Sequence, residues 1–217
     1  MHGLRWFGDK AQGETVASQG ENVTLAPMNV VTHFSSPTRV KLTVADFGAL
    51  QKGGALDQYH KTELIEGVIV AVNSQYSAHA SVKSRLARYL GNALEAMASD
   101  IEAISEVSVS IPPHNVPEPD IVLTTVTPEK AWVPLELVAL LVEVSDSTLR
   151  YDLGKKAKIY ARNGVPEYWV VDLAGAKIHQ LWSPSATGFK DMRVIKIGDP
   201  LESITIAGLK VPTNGLT

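Results

Sequence analysis

Apolar residues recur at Val82, Leu86, Leu90, Leu94 and Met97, the spacing of one helical face. This predicts a long helix from about Ser77 to Ala98, with Lys83, Arg85 and Arg88 on its polar side. Before it, Thr43 stands where an N-cap belongs, ahead of a short helical run ended by Gly53 and Gly54. The runs YHKTELI and VIVAVN, joined at Glu66 and Gly67, predict a tight hairpin. After the long helix, AISEVSVSI alternates like one strand, and PPHNVPEP reads as a loop because proline cannot sit inside a helix or a central strand. DIVLT is a short strand. LELVALLVEVS is almost continuously aliphatic, which predicts a strand buried on both faces. Residues 151–163 read as a helix stopped by Gly164, PEYWVVDL as a second buried strand, and AKIHQLWS and residues 190–206 as further strands. Strands interleaved with two substantial helices predict an α/β fold with a mixed sheet flanked by helices.

The chain has 217 residues, which suits one domain with or without a tail. Residues 1–40 are rich in Gly, Ser, Thr and Gln and keep no period, so a poorly ordered N-terminal tail is expected there and a single domain over 41–217. Met28 is a second candidate start. There is no cysteine, which excludes disulfides, thiolate metal sites and a cysteine nucleophile, and suits a cytoplasmic protein. The most apolar stretch, Leu137 to Val144, is too short to span a bilayer and contains Glu143. A formal net charge of -3 means that any contact with nucleic acid must come from a local patch.

The informative feature is a pair of acids on or beside apolar strands. Asp120 opens DIVLT directly after Pro119, and Glu143 interrupts LVALLVEVS. An isolated carboxylate buried in such a strand costs several kcal/mol, so it must be paired, protonated, hydrogen-bonded or bound to a metal. Two carboxylates meeting at strand ends make a hard oxygen site that suits Mg2+ or Mn2+. The plain alternatives are a strand-end acid bridged to a basic neighbour for Glu143 and a turn acid for Asp120. On the following helix, Leu153, Ala157, Tyr160 and Ala161 form the inward stripe. Lys156 flanks it and can lean over the sheet toward Glu143, where an ammonium could stabilise a phosphate; its alternative is a snorkelling, solvated side chain.

Glu63, in the first hairpin, could add a carboxylate to the same metal. His79 reads more simply as a surface or capping histidine, Asp152 as a first-turn acid of its helix, and Asp172 as the residue that starts the turn before Gly175. Phosphate-loop, dinucleotide, H-E-x-x-H and G-x-S-x-G signatures are absent, and the histidines lack metal-ligand spacing.

ELIEG, EPDIVL, LVEVSDST and YDLGKKAKIYARNGVPEYWVVDL together resemble the Uma-two family, grouped with the restriction endonucleases of the PD-(D/E)XK nuclease superfamily. The resemblance covers roughly residues 41–183, and its specific part runs from Glu143 to Asp172. It implies a restriction-endonuclease-like core that binds a divalent cation. The family's first acid falls on Asp120, its second on Glu143, its helical lysine on Lys156 and its early glutamate on Glu63. The superfamily's simple pattern has a lysine two residues after the second acid, where this chain has Ser145, so the lysine has moved to the helix.

The expectation is hydrolysis of DNA phosphodiester bonds by an Mg2+ (or Mn2+) ion on Asp120 and Glu143, assisted by Glu63, with Lys156 stabilising negative charge. Arg150, Lys155, Lys158 and Arg162 are candidate contacts to DNA backbone phosphates, or else a solvated helix face. A homodimer is expected by analogy with nucleases that cut two strands. No organic cofactor and no membrane partner are expected. The alternative is a catalytically silent module that keeps the fold and binds nucleic acid or a protein. A glycosidase is a third reading, disfavoured because Tyr168 and Trp169 sit in an apolar strand and read as core.

Overall fold

The main sheet is arranged about one strand, Val138–Ser145, whose alternate side chains feed two different cores. In a computed structural model, residues 38–72, 77–125 and 132–216 are described. The expected tail up to residue 37, Met28 and Asn73 lie outside them. In chain order the elements are α1 (Val44–Lys52), β1 (Thr62–Ile65), β2 (Val68–Ala71), α2 (Ser77–Ala96), β3 (Glu102–Ser105), β4 (Val109–Ser110), β5 (Ile121–Thr124), β6 (Val133–Pro134) and β7 (Val138–Ser145). Then come α3 (Leu149–Tyr151), a π-helical turn (Asp152–Lys156), α4 (Ala157–Arg162), β8 (Glu167–Asp172), β9 (Lys177–Ser185), β10 (Gly188–Lys196), β11 (Leu201–Glu202) and β12 (Lys210–Val211).

The main sheet has the order β10-β9-β8-β7-β5-β3. Only β7 and β8 run parallel, joined by the α3–α4 crossover; the other neighbours are antiparallel, so the sheet is mixed as expected. Leu140, Val142 and Val144 of β7 pack with Val82, Leu86, Leu90 and Leu94 of α2 on one face. Leu141 packs on the other face with Ala157, Ile159 and Tyr160 of α4. A strand that is apolar on both sides is what such a layered sandwich demands.

Local chemistry accounts for the element ends. Thr43 caps α1 through a capping box with Asp46: Asp46 N donates to Thr43 Oγ1 at 3.2 Å, and Thr43 N to Asp46 Oδ2 at 2.8 Å. The β1–β2 hairpin turns at Glu66 and Gly67, both at positive φ (54° and 81°), which is the two-residue hairpin geometry. Gly164 stops α4 at φ 85°.

Three expectations need correction. AISEVSVSI is not one strand: it breaks at Glu106, whose φ is 56°, into β3 and β4. Residues 190–206 are not continuous strand either, because β10 ends at Lys196 and β11 covers only Leu201–Glu202. Lys83 is not on the solvated face of α2. Its side chain is buried beside Val82 and turns inward to Glu106.

Candidate active site

β7, β5, β1 and the α3–α4 segment deliver their polar residues to one open cleft of about 480 Å³. Glu143 reaches it because it shares a face of β7 with Leu141 and Ser145, the face covered by α4. Asp120 reaches it from the residue just before β5. Glu63 reaches it because β1 docks on the proline loop, where Leu64 N donates to Val116 O at 3.1 Å. Lys156 closes the π-helical turn. Such turns are frequent at functional sites.

The four residues picked from the sequence meet there, and all are buried. Lys156 Nζ donates to Glu143 Oε1 at 2.9 Å and to Glu63 Oε1 at 3.1 Å. Tyr160, one turn further along, donates its hydroxyl to Glu143 Oε1 at 3.0 Å. Glu118 N donates to Glu63 Oε1 at 2.9 Å, so the loop that carries Asp120 also fixes Glu63. Asp120 Oδ2 accepts from Val144 N at 2.8 Å, which ties it to β7.

Two further residues join them that the sequence pointed elsewhere. His79 is not a surface or capping residue: it is buried, with Nε2 3.0 Å from Asp120 Oδ1. Asp152 is more than a first-turn acid. It is buried, lines the cleft, and accepts from Ser145 Oγ at 2.9 Å and Thr148 Oγ1 at 2.6 Å. Ser145, at the position of the superfamily's lysine, thus holds a carboxylate. No local pattern marks either residue, because both roles depend on β5 and β7 lying beside the helices that carry them.

The cleft is electrostatically lopsided. Six carboxylates (Glu63, Glu118, Asp120, Glu143, Asp146 and Asp152) line it against two lysines, Lys61 and Lys156. Burial pushes the Glu143 carboxyl up to about 8; Lys156 opposes this, while Asp152, Asp120 and Glu63 add to it. Burial also raises Asp152, against the pull of Lys156, Thr148 and Ser145. For Lys156, burial favours the neutral amine, but Glu143, Glu63 and Asp152 outweigh it and raise its pKa, so the ammonium stays charged. A site this rich in hard oxygen donors and this poor in positive charge fits a divalent cation. Among the described residues, no three His, Asp or Glu side chains converge into a ready cage. One or two carboxylates plus water is the usual protein contribution to Mg2+, and Asp120 and Glu143 can supply it.

The other basic candidates are not brought to the cleft. Lys155 Nζ lies 3.4 Å from Glu66 Oε2 and Arg162 Nη1 3.0 Å from Glu66 Oε1, so both cations engage the hairpin-turn acid. Arg150 and Lys158 are exposed and do not line the cleft. Asp172 does start its turn, accepting from Gly175 N at 2.8 Å. Tyr168 and Trp169 are fully buried core.

The family model described as "Uma2: Putative restriction endonuclease" matches residues 44–211. The chain belongs to the Uma2 family. Its fold is similar to the crystal structure of a "putative nuclease belonging to DUF820" from Anabaena variabilis ATCC 29413, with a TM-score of 0.56 and 14% identity over 71% of this chain and 88% of that one. No curated protein matches. Membership in Uma2 gives the chain a nuclease-like character, and the fold likeness agrees with a mixed sheet flanked by helices. Among the described residues, no helix is long and apolar enough to cross a membrane.

Proposed function

We propose that this Uma2 protein hydrolyses phosphodiester bonds of DNA with a magnesium- or manganese-class ion held by Asp120 and Glu143, assisted by Glu63. The supporting observation is the acidity of the cleft: six acidic side chains line it against Lys61 and Lys156, and Glu143 is pushed up to about 8 by burial and its acidic neighbours. An acidic cleft repels a phosphate until a cation offsets it. When bound, that ion supplies Lewis acidity to the phosphate and lowers the pKa of water.

The chain's own residues do the rest. Hydrolysis joins a water oxygen to phosphorus, breaks the bond to the leaving sugar oxygen and leaves one of the water's protons on that oxygen, and negative charge grows on the phosphoryl oxygens on the way. Lys156, whose ammonium donates to Glu143 and Glu63, meets that charge. Because the ammonium keeps its proton, Lys156 orients and stabilises rather than acting as a base. The backbone amide of Val144 and His79 fix the Asp120 carboxylate, and Tyr160 fixes that of Glu143. Cutting both strands of a duplex suits a homodimer, which sedimentation velocity can test.

Asp120→Ala is the direct test. It should abolish metal-dependent cleavage while the circular dichroism spectrum stays that of the unaltered protein; undiminished cleavage sinks the assignment. The second reading, a silent binding module, is favoured by one feature: Lys156 already bridges Glu63 and Glu143. Calorimetric titration separates the two, since a module of that kind binds neither Mg2+ nor Mn2+ at millimolar concentration.

A further inference from the structure

A second open cleft of about 380 Å³ adjoins the first and shares Lys61 and Glu118 with it. The two residues form the common wall: Lys61 Nζ lies 3.1 Å from Glu118 Oε1 and donates to the Glu118 carbonyl at 3.3 Å. Lys61 stands two residues before Glu63 in the chain. Residues so spaced in an extended segment face the same way, about 6.7 Å apart. The second cleft therefore adjoins the first at the N-terminal end of β1, on the side away from Ile65.

Its chemistry differs from that of the first. Tyr59 lines it with 47% of its surface exposed, and it is the single aromatic ring among the exposed large apolar residues described. The ring is carried on an anchored turn: Tyr59 N donates to Leu56 O at 3.0 Å, and Leu56 packs on the small core of Phe47, Leu64 and Val116. Two acceptors line the same cleft, Asp57 on the turn that carries Tyr59 and Glu106 at the end of β3. Glu106 is clamped by Lys83 at 2.6 Å, and that hydrogen bond and charge hold its carboxyl below the usual range, so it is an acceptor at neutral pH. Carboxylates repel a phosphate but accept from the exocyclic amino groups of cytosine and adenine. An exposed aromatic ring is a platform for a base that has left its stack.

The geometry points to a subsite for one unpaired, amino-bearing nucleobase on Tyr59, adjoining the cleft that takes the phosphate. Lys61, on the shared wall, meets the intervening backbone. This rests on the hydrolytic reading above and narrows it: the preferred substrate is single-stranded or carries an extruded cytosine or adenine. Duplex bases, stacked on both faces, cannot lie on the ring.

The experiment uses the full chain and fluorescein-labelled single-stranded oligo-dC, oligo-dA and oligo-dT. Binding is followed by anisotropy with Ca2+ at fixed salt, and cleavage of the same strands with Mn2+. The expected result is tighter binding of dC and dA than of dT. Tyr59→Ala should weaken dC and dA binding roughly tenfold, Tyr59→Phe should keep it, and Asp57→Ala with Glu106→Ala should erase the preference over dT. Equal binding by the unaltered protein and Tyr59→Ala overturns the subsite. If that protein still cleaves, hydrolysis stands and the subsite alone falls. If dC binds in a Tyr59-dependent way and nothing is cut, the subsite stands and hydrolysis falls. If no single strand binds, the subsite falls, and Mn2+-dependent cleavage of duplex DNA alone then decides the hydrolytic reading.

Discussion

Lys156 Nζ lies 2.9 Å from Glu143 Oε1, a buried contact between a helical turn and the strand before it. Removing one partner of a buried pair leaves the other uncompensated, at a cost of about 3–5 kcal/mol. Below about pH 8 Glu143 carries a proton, which softens that loss. Lys156→Met should therefore lower the thermal midpoint more at pH 9 than at pH 6 and abolish Mn2+-dependent cleavage. A midpoint loss independent of pH would show that the pair is not the relevant contact.

The raised Glu143 carboxyl makes a second, independent statement. Its folded pKa of about 8 lies above the ordinary carboxylate value of 4.5, so between those values the folded chain holds the proton more tightly than the unfolded one. Its contribution to stability is complete below about pH 4.5 and is lost as pH rises through 8. Metal-free protein should thus lose stability from pH 6 to pH 9 at this site, and Glu143→Gln should flatten the slope. Differential scanning calorimetry across that range checks the sign.

The same proton should appear in metal binding. An ion on Glu143 must displace it, so Mn2+ titrations at pH 7 in buffers of different ionisation enthalpy should report proton release. The release should fade above pH 8. Equal apparent enthalpies in all buffers at pH 7 would contradict protonation of Glu143.

His79 and the amide of Val144 hold the Asp120 carboxylate by different oxygens, Oδ1 and Oδ2. Partners of metal ligands are typically worth 10- to 100-fold in affinity. His79→Ala should accordingly weaken Mn2+ binding by roughly that factor, whereas Asp120→Ala should abolish it. Isothermal titration of the two variants side by side tells them apart.

Away from the cleft, Glu167 is a buried carboxylate that accepts from Trp169 Nε1, Gln180 Nε2, Ser203 Oγ, the amides of Ile204 and Thr205, and Thr205 Oγ1. Burial alone would raise its pKa, but Gln180, Ser203, Thr205 and Trp169 pull it below 4.5. It fastens the segment after β11 to β8. Glu167→Ala should destabilise the fold by at least about 3 kcal/mol, since several buried donors lose their acceptor. In the unaltered chain this contribution is present above pH 4.5 and is lost as pH falls below it. Chemical denaturation at pH 7 and pH 4 reads both effects, and no difference between Glu167→Ala and the unaltered chain would refute the latch.

Much of the site was legible because burial contradicts charge. Asp120 and Glu143 stood out in aliphatic runs, and the helical phase set Lys156 apart from Lys155 and Lys158. His79 and Lys83 were not legible for the opposite reason. Near the start of a helix a histidine or lysine is unremarkable, and only the nearness of β5 and of Glu106 turns each inward. Alternation carried straight through Glu106, which has no glycine to announce its positive φ, so the break between β3 and β4 was invisible. Glu167 was hidden likewise, since its six donors come largely from residues far along the chain.

The π-helical turn at Asp152–Lys156 has a wider consequence. A π turn is one residue more than an α-helix needs, and each residue of helix rotates the chain beyond it by about 100°. Lys156 and Tyr160 both find Glu143 only in the present phase. Inserting one more residue between Leu153 and Lys155, where the helix already carries its surplus, would swing the pair off the strand while leaving every side chain of the site in the sequence. The site is therefore vulnerable to changes of length as well as of identity, and length variants of this short segment offer a way to switch it off with its residues intact.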